Sequence, residues 1–214
     1  MNKIHLGCGQ IYLNGYTNID YPLDQNHSVQ NLSVADMHIN LLNLKYEKNS
    51  IDEIRLHHVF EHFSRPIALA LLVIWNSWLK QGSLLRIETP NYTKMAILSI
   101  NPFVSKKNKS VALRHIFGSQ EEHWANHYEG YSKRIYKTIL PLYGFKIQKI
   151  KYNNWAGTHN IEVFATKQKN ITIDESLILT KNYLSNFILN ESEFDLLNYW
   201  LQIFENQIHK SYTI

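Results

Sequence analysis

The chain has 214 residues, of which 44% are apolar and 19% charged, a globular balance that excludes disorder and permits one or two domains. Its single cysteine, Cys8, excludes an internal disulfide and a cysteine-based zinc site, and its longest apolar run, Ile67 to Trp75, has nine residues where a membrane span needs about 20. The N-terminus shows no apolar signal core, and the net charge of +4 is uneven: residues 171–214 hold two basic and six acidic residues, leaving residues 1–170 with 20 basic and 12 acidic ones. A soluble, cytoplasmic protein with no membrane partner is expected, its basic body suited to an anionic substrate.

Lys3 to Leu6 is a short β-prone run that ends in Gly7-Cys8-Gly9. Tyr16 to Ile19 is a second, ending at Asp20, and Ile51 to His57 is a third, after the polar turn Lys48-Asn49-Ser50. Ser64 and Pro66 then predict a helix start, with the helix running to about Lys80 and stopped by Gly82. Leu84 to Glu88 reads as a strand closed by Thr89-Pro90-Asn91. Residues 92–130, rich in His, Asn and Lys, read as an excursion over the sheet edge with short helical pieces. Ser132 to Leu142 predicts a helix, and Phe145 to Tyr152 and Asn160 to Thr166 predict an antiparallel edge pair of strands. Strands alternating with helices imply a largely parallel α/β sheet. The tail, Asp174 to Leu189 and Ser192 to Lys210, predicts a helical hairpin, with Phe194, Leu197, Leu201, Phe204 and Ile208 on one face and Ser192 as a cap. The helix at Ile67 to Trp75 is apolar all round, so the hairpin, or a second copy of the chain, is expected to cover it. Two units follow: residues 1–170, and a C-terminal helical extension over 171–214.

A strand entering two glycines one residue apart, followed eleven residues later by a carboxylate at the end of a second strand, forms a nucleoside-site pattern: the glycines permit a tight turn and close approach, and Asp20 can hold a ribose diol. The dinucleotide fingerprint requires a third glycine where this chain has Tyr12, and no Gly-x-x-x-x-Gly-Lys phosphate loop occurs.

Taken together, His5-Leu6-Gly7-Cys8-Gly9, Asn14-Gly15-Tyr16-Thr17-Asn18-Ile19-Asp20, Ser50-Ile51-Asp52-Glu53-Ile54, His58-Val59-Phe60-Glu61-His62-Phe63 and Leu79-Lys80-Gln81-Gly82-Ser83-Leu84-Leu85-Arg86-Ile87 resemble, in order and spacing, the class I S-adenosylmethionine-dependent methyltransferases. The series is similar to a small branch associated with sugar and cell-surface polysaccharide pathways, and it covers residues 3–166. The resemblance implies a Rossmann-like, doubly wound, seven-stranded, mostly parallel sheet with a reversed edge strand and helices on both faces. It implies S-adenosyl-L-methionine as cofactor and S-adenosylhomocysteine as product, with the Gly7-Cys8-Gly9 turn under the methionine part and Asp20 on the ribose. Asp36 and Met37, where a third strand should end, would flank the adenine; His57 and His58 would lie near the methionine group and the transferred methyl. The chain departs from the pattern at His5, where relatives carry an acid, and at Lys80-Gln81-Gly82, where they carry Pro-Gly-Gly.

The expected activity is methyl transfer to a small acceptor, anionic or sugar-like, at oxygen. A hydroxyl acceptor needs a base on its own side of the methyl. His127 is the first candidate, with His58 and His123 next, since a histidine is a neutral base near pH 7. Glu61 and His62 read as a helix-end charge and a packing residue. His115, His123 and His127 match no zinc spacing, so no metal is expected. No RNA-binding module is present, and no nucleic-acid partner is expected. A homodimer through the C-terminal helices is allowed. The competing readings are a non-catalytic binding module of the same fold and a nucleotide-sugar oxidoreductase, the latter disfavoured by Tyr12.

Overall fold

The computed structural model describes residues 1–22, 33–155 and 157–211, Trp155 by its backbone alone. Seven strands form one sheet: β1 (Lys3–Leu6), β2 (Thr17–Asp20), β3 (Met37–His38), β4 (Ile51–His57), β5 (Leu79–Pro90), β6 (Phe145–Trp155) and β7 (Thr158–Lys167), in the order β3-β2-β1-β4-β5-β7-β6. The first five run parallel, and β7 runs antiparallel to both β5 and β6. This is the expected mostly parallel sheet with a reversed strand near its edge. The third strand begins at Met37 rather than ending there, because Asp36 is held outside it by Asn18.

Helix α1 (Arg65–Trp78) is buried through almost its whole length. Its partners explain the lack of a polar face. One side meets the apolar rows of the sheet, Ile4, Leu6, Ile54, Leu56, Leu85 and Ile87, and the other meets the tail. The tail comprises α5 (Ile173–Leu184) and α6 (Phe194–Ser211), linked by 3-10 turns at Ser185–Phe187 and Glu191–Glu193. Leu197, Phe204 and Ile208 of α6 are buried in the same core as α1, so the predicted cover comes from within the chain. At its far end Gln207 and Ser211 donate to the carbonyl of Leu42. Asn190, rather than Ser192, caps the turn that leads into α6, because the Asn190 carbonyl oxygen accepts from both the amide and the hydroxyl of Ser192.

Two boundaries differ from the sequence reading. The first tail helix stops at Leu184, short of Leu189. Helix α1 ends at Trp78, and Leu79 both closes the helix and starts β5. Gly82 is no helix stop. Its φ of +77° lies inside β5, where two steps along β4 (Ile51 to Glu53) face five along β5 (Leu79 to Leu84). A glycine permits this bulge as readily as it ends a helix.

The excursion contains two regular helices, α2 (Tyr92–Ile100) and α3 (Lys106–Phe117), packed on each other, before α4 (Lys133–Leu142) returns to pack on β6 and β7. Among the described residues, the β1–β2 connection (7–16) is built of turns and the β3–β4 connection holds only a 3-10 turn. Helices α1 and α4 pack on the apolar side of the sheet. The opposite side is polar, carrying Lys3 and His5 of β1, Asn18 of β2, Glu53, Arg55 and His57 of β4, Arg86 and Glu88 of β5, and Glu162 of β7.

Candidate active site

The glycine loop leaves β1 at the carboxyl edge of the sheet. Gly7 and Gly9 both have left-handed φ, +66° and +53°. Their surroundings differ. A Cβ on Gly7 would lie 2.1 Å from Cγ2 of Val59, whereas one on Gly9 would meet nothing within 4 Å. Gly7 is thus a packing position beneath the β4 exit, and Gly9 faces open space. Cys8 turns inward: its thiol is buried, 3.7 Å from the Ser33 hydroxyl, and burial raises its pKa. Only its backbone remains at the loop.

The loop's three amide groups are already committed. Gly7 and Cys8 donate to the carbonyl of Ile19. Gly9 donates to Oδ2 of Asp20 at 2.9 Å, while Asp20 Oδ1 accepts from the amide of Tyr21. No helix begins after the loop. A pyrophosphate site needs free amides at a helix N-terminus, and this loop has neither, which counts against a dinucleotide. What it offers is a rigidly held carboxylate beside an open turn. Ile11, Tyr12, Val34 and Met37 supply exposed apolar side chains nearby in the chain.

Asp36 is an anchor as well as an edge residue. Its carboxylate accepts from the Asn18 amide, the Asn18 side chain and the Tyr12 hydroxyl, and these bonds hold its pKa below the ordinary value. Asn18 is a hub missed by the sequence reading. It also binds Leu13 and Tyr16, and its carbonyl oxygen accepts from Nδ1 of the buried His5 at 3.2 Å. His5 is buried, which lowers its pKa, and its Nε2 has no hydrogen-bond partner among the described residues.

The strand ends bring together a second group. His57 lies on the polar side, its Nε2 accepting from Arg55 at 2.9 Å. Burial and the Arg55 charge push it down to about 4, so it is neutral. His58 follows in a left-handed conformation, φ +51°, and sits 3.3 Å from Glu61 and 3.6 Å from Glu88. Burial opposes its charge, but the two carboxylates outweigh burial and raise its pKa to about 10. A histidine already protonated at neutral pH accepts no further proton, so the base role expected for His58 does not suit it. Glu88 also accepts from Asn153 at 2.7 Å and Asn160 at 3.2 Å.

From the excursion, His127 reaches this group and His123 does not. His127 stacks edge-on against His62, ring centres 4.7 Å apart, beside the buried Glu61. His123 is exposed in a 3-10 turn. Burial lowers the pKa of His127, and its Nδ1 donates to the carbonyl of His115 at 2.9 Å. Glu61, which reads locally as a helix-end charge, and His62, which reads as a packing residue, therefore lie in this group. The carbonyl of Glu61 receives the amide of Tyr128 at 2.8 Å, and no pattern within either segment announces that contact.

No protein-family model and no curated protein matches the chain in sequence. Solved structures match it in fold. A SAM-dependent methyltransferase from Methanosarcina mazei has a TM-score of 0.51 at 11% identity, over 78% of this chain and 92% of that one. One from Archaeoglobus fulgidus gives 0.51 at 16%, over 78% and 86%. One from Mesorhizobium loti gives 0.52 at 12%, over 77% and 90%. This chain has the fold of these methyltransferases. At such identities the likeness concerns the fold, and the chemistry has to be argued from the residues above.

Proposed function

We propose that the chain is an S-adenosylmethionine-dependent methyltransferase acting on a small acceptor, with S-adenosylhomocysteine as product. The observation that carries this reading is the open left-handed turn at Gly9 with the Asp20 carboxylate locked to its amide, in a sheet of methyltransferase order. The residues fit the cofactor. Asp20 would hold the ribose hydroxyls, and Met37 and Tyr12 offer apolar surface to the adenine. When bound, the cofactor supplies an electrophilic methyl that needs no further activation. The chain's task is to position the acceptor and to take its proton.

A hydroxyl acceptor, as on a sugar, is supported by Asn160. Its side-chain carbonyl oxygen is buried beside Glu88 with no hydrogen-bond partner among the described residues, and a hydroxyl would satisfy it. The excess of basic residues in 1–170 supports an anionic acceptor, as on a precursor of surface polysaccharide. Proton uptake falls to the histidine group. His127 is the candidate base: the His115 carbonyl can only accept, so Nδ1 carries the ring proton and Nε2 is left to take one. The lone, buried, free Cys8 suits a reducing cytoplasm, and no described helix is long and apolar enough to cross a membrane. The tail leaves Ile178, Leu189, Phe194 and Tyr199 exposed, which supports the homodimer.

Calorimetry with S-adenosylhomocysteine tests the reading. The parent should bind it, and Asp20→Ala should bind it about 2 kcal/mol more weakly, the scale of charged hydrogen bonds lost from a diol. Equal binding by the two would remove the nucleoside site, and a screen for labelled methyl incorporation into phosphorylated and neutral sugars would name the acceptor.

A further inference from the structure

We propose that Glu61, His62 and His127 bind a divalent transition-metal ion, with zinc the best match to the donor set. The three side chains place their ligand atoms within 4.8 Å of one another. Two imidazoles and one carboxylate are a donor set that selects zinc and its neighbours over magnesium or calcium. Three such ligands leave a fourth position open.

Two further observations point to an ion. Glu61 is 1% exposed; its Oε1 faces the His58 ring at 3.3 Å, and its Oε2 has no hydrogen-bond partner among the described residues. Both histidines are also oriented from behind. His62 Nδ1 donates to the carbonyl of Asn126 at 3.1 Å, and His127 Nδ1 donates to the carbonyl of His115 at 2.9 Å. A backbone carbonyl on one ring nitrogen fixes the tautomer that leaves the other nitrogen's lone pair for a metal.

A second triad, His57, Glu88 and Glu162, is equally close, but its donors are occupied. Arg55 holds His57, Arg86 pairs with Glu162, and Asn153 and Asn160 hold Glu88. In the first triad His58 faces Oε1 of Glu61, while Oε2 has no hydrogen-bond partner among the described residues. An ion there would fasten the excursion, through His127, to the turn after β4. It would also occupy the lone pair that otherwise makes His127 a base, so activation of a hydroxyl would pass to the ion's open position.

Cobalt(II) is the probe. Added to the full chain, a single equivalent should produce a visible absorption band of low-coordinate cobalt that zinc abolishes and magnesium does not. His62→Ala and His127→Ala should lose the band, with zinc affinity falling by more than the roughly 10–100-fold that loss of an outer partner costs. His123→Ala should keep it. A parent without the band, or folded His62→Ala and His127→Ala variants that retain it, would overturn the site. Should those variants not fold, imidazole resonances of the parent decide: zinc-induced shifts confined to His62 and His127 support the site, and shifts elsewhere or none refute it. S-adenosylhomocysteine binding by the parent reports separately on the methyltransferase reading.

Discussion

His58 and Glu61 meet at 3.3 Å across a single turn, the histidine in a left-handed conformation and the carboxylate buried. The strained backbone of His58 places its ring between the turn after β4 and Glu88 at the end of β5. Strain of this kind persists only where surrounding contacts over-determine it, and the two carboxylates are those contacts.

Glu61→Gln removes the buried charge and leaves His58 with Glu88 alone. The variant should lose about 2 kcal/mol of unfolding free energy, in the range for hydrogen bonds to charged groups. Urea denaturation at neutral pH measures it, and a midpoint equal to the parent's would show that the pair contributes nothing to the fold.

The two loop glycines should separate by substitution. Gly7→Ala drives a Cβ into Val59 at a left-handed φ and should cost about 3 kcal/mol, strain and overpacking together. Val59→Ala should recover part of that loss. Gly9→Ala carries only the conformational cost, about 1 kcal/mol. It should remain folded but bind S-adenosylhomocysteine poorly, since the new methyl occupies the open side of the turn. Equal destabilisation by the two would contradict the geometry of the loop.

Lys167 gives a pH dependence. Its ammonium is buried, donating to the Asn49 side chain and the Leu79 carbonyl, and burial lowers its pKa from 10.5 to about 8. Below pH 8 the folded state bears the full cost of a buried charge. Between pH 8 and 10.5 the unfolded chain binds more protons than the folded one, so this group's contribution to stability rises with pH. The stability of the parent relative to Lys167→Met should increase across that interval. A flat difference would place Lys167 at its ordinary pKa.

Phe204 tests the tail. It is fully buried where α6 lies on α1, and Phe204→Ala should cost about 3–5 kcal/mol. Calorimetric unfolding reads the loss. Sedimentation of the parent and of a Leu189→Asp variant tests the dimer: a parent that stays monomeric at high concentration removes it.

The strand series and the glycine loop were readable because both are local, a run of alternating residues ending in a turn that only glycine adopts freely. Asp20 followed from the same logic. Gly82 misled because one conformational freedom serves two ends, a helix stop and a strand bulge. The resemblance implies that Asp36 flanks the adenine, and the pattern does not show that Asn18 and Tyr12 engage its carboxylate. Glu61 and His62 read locally as a helix-end charge and a packing residue. What brings His127 to them is the return of the chain some 64 positions later, and long-range pairing leaves no periodicity to read. His123 and His127 looked equivalent four residues apart, yet the 3-10 turn at His123–Ala125 separates them, one facing water and the other inward.

The junction at Trp78 and Leu79 leaves no slack between helix and strand. Leu79 caps α1 through the carbonyl of Trp75 and is already paired in β5 with Ile51. The helix that the tail covers is therefore joined without a loop to the strand that carries Glu88, with Asn153 and Asn160 attached. Loosening α6 would pass through that junction to the strand, so substitutions remote from every proposed ligand can change turnover while leaving each of them in place.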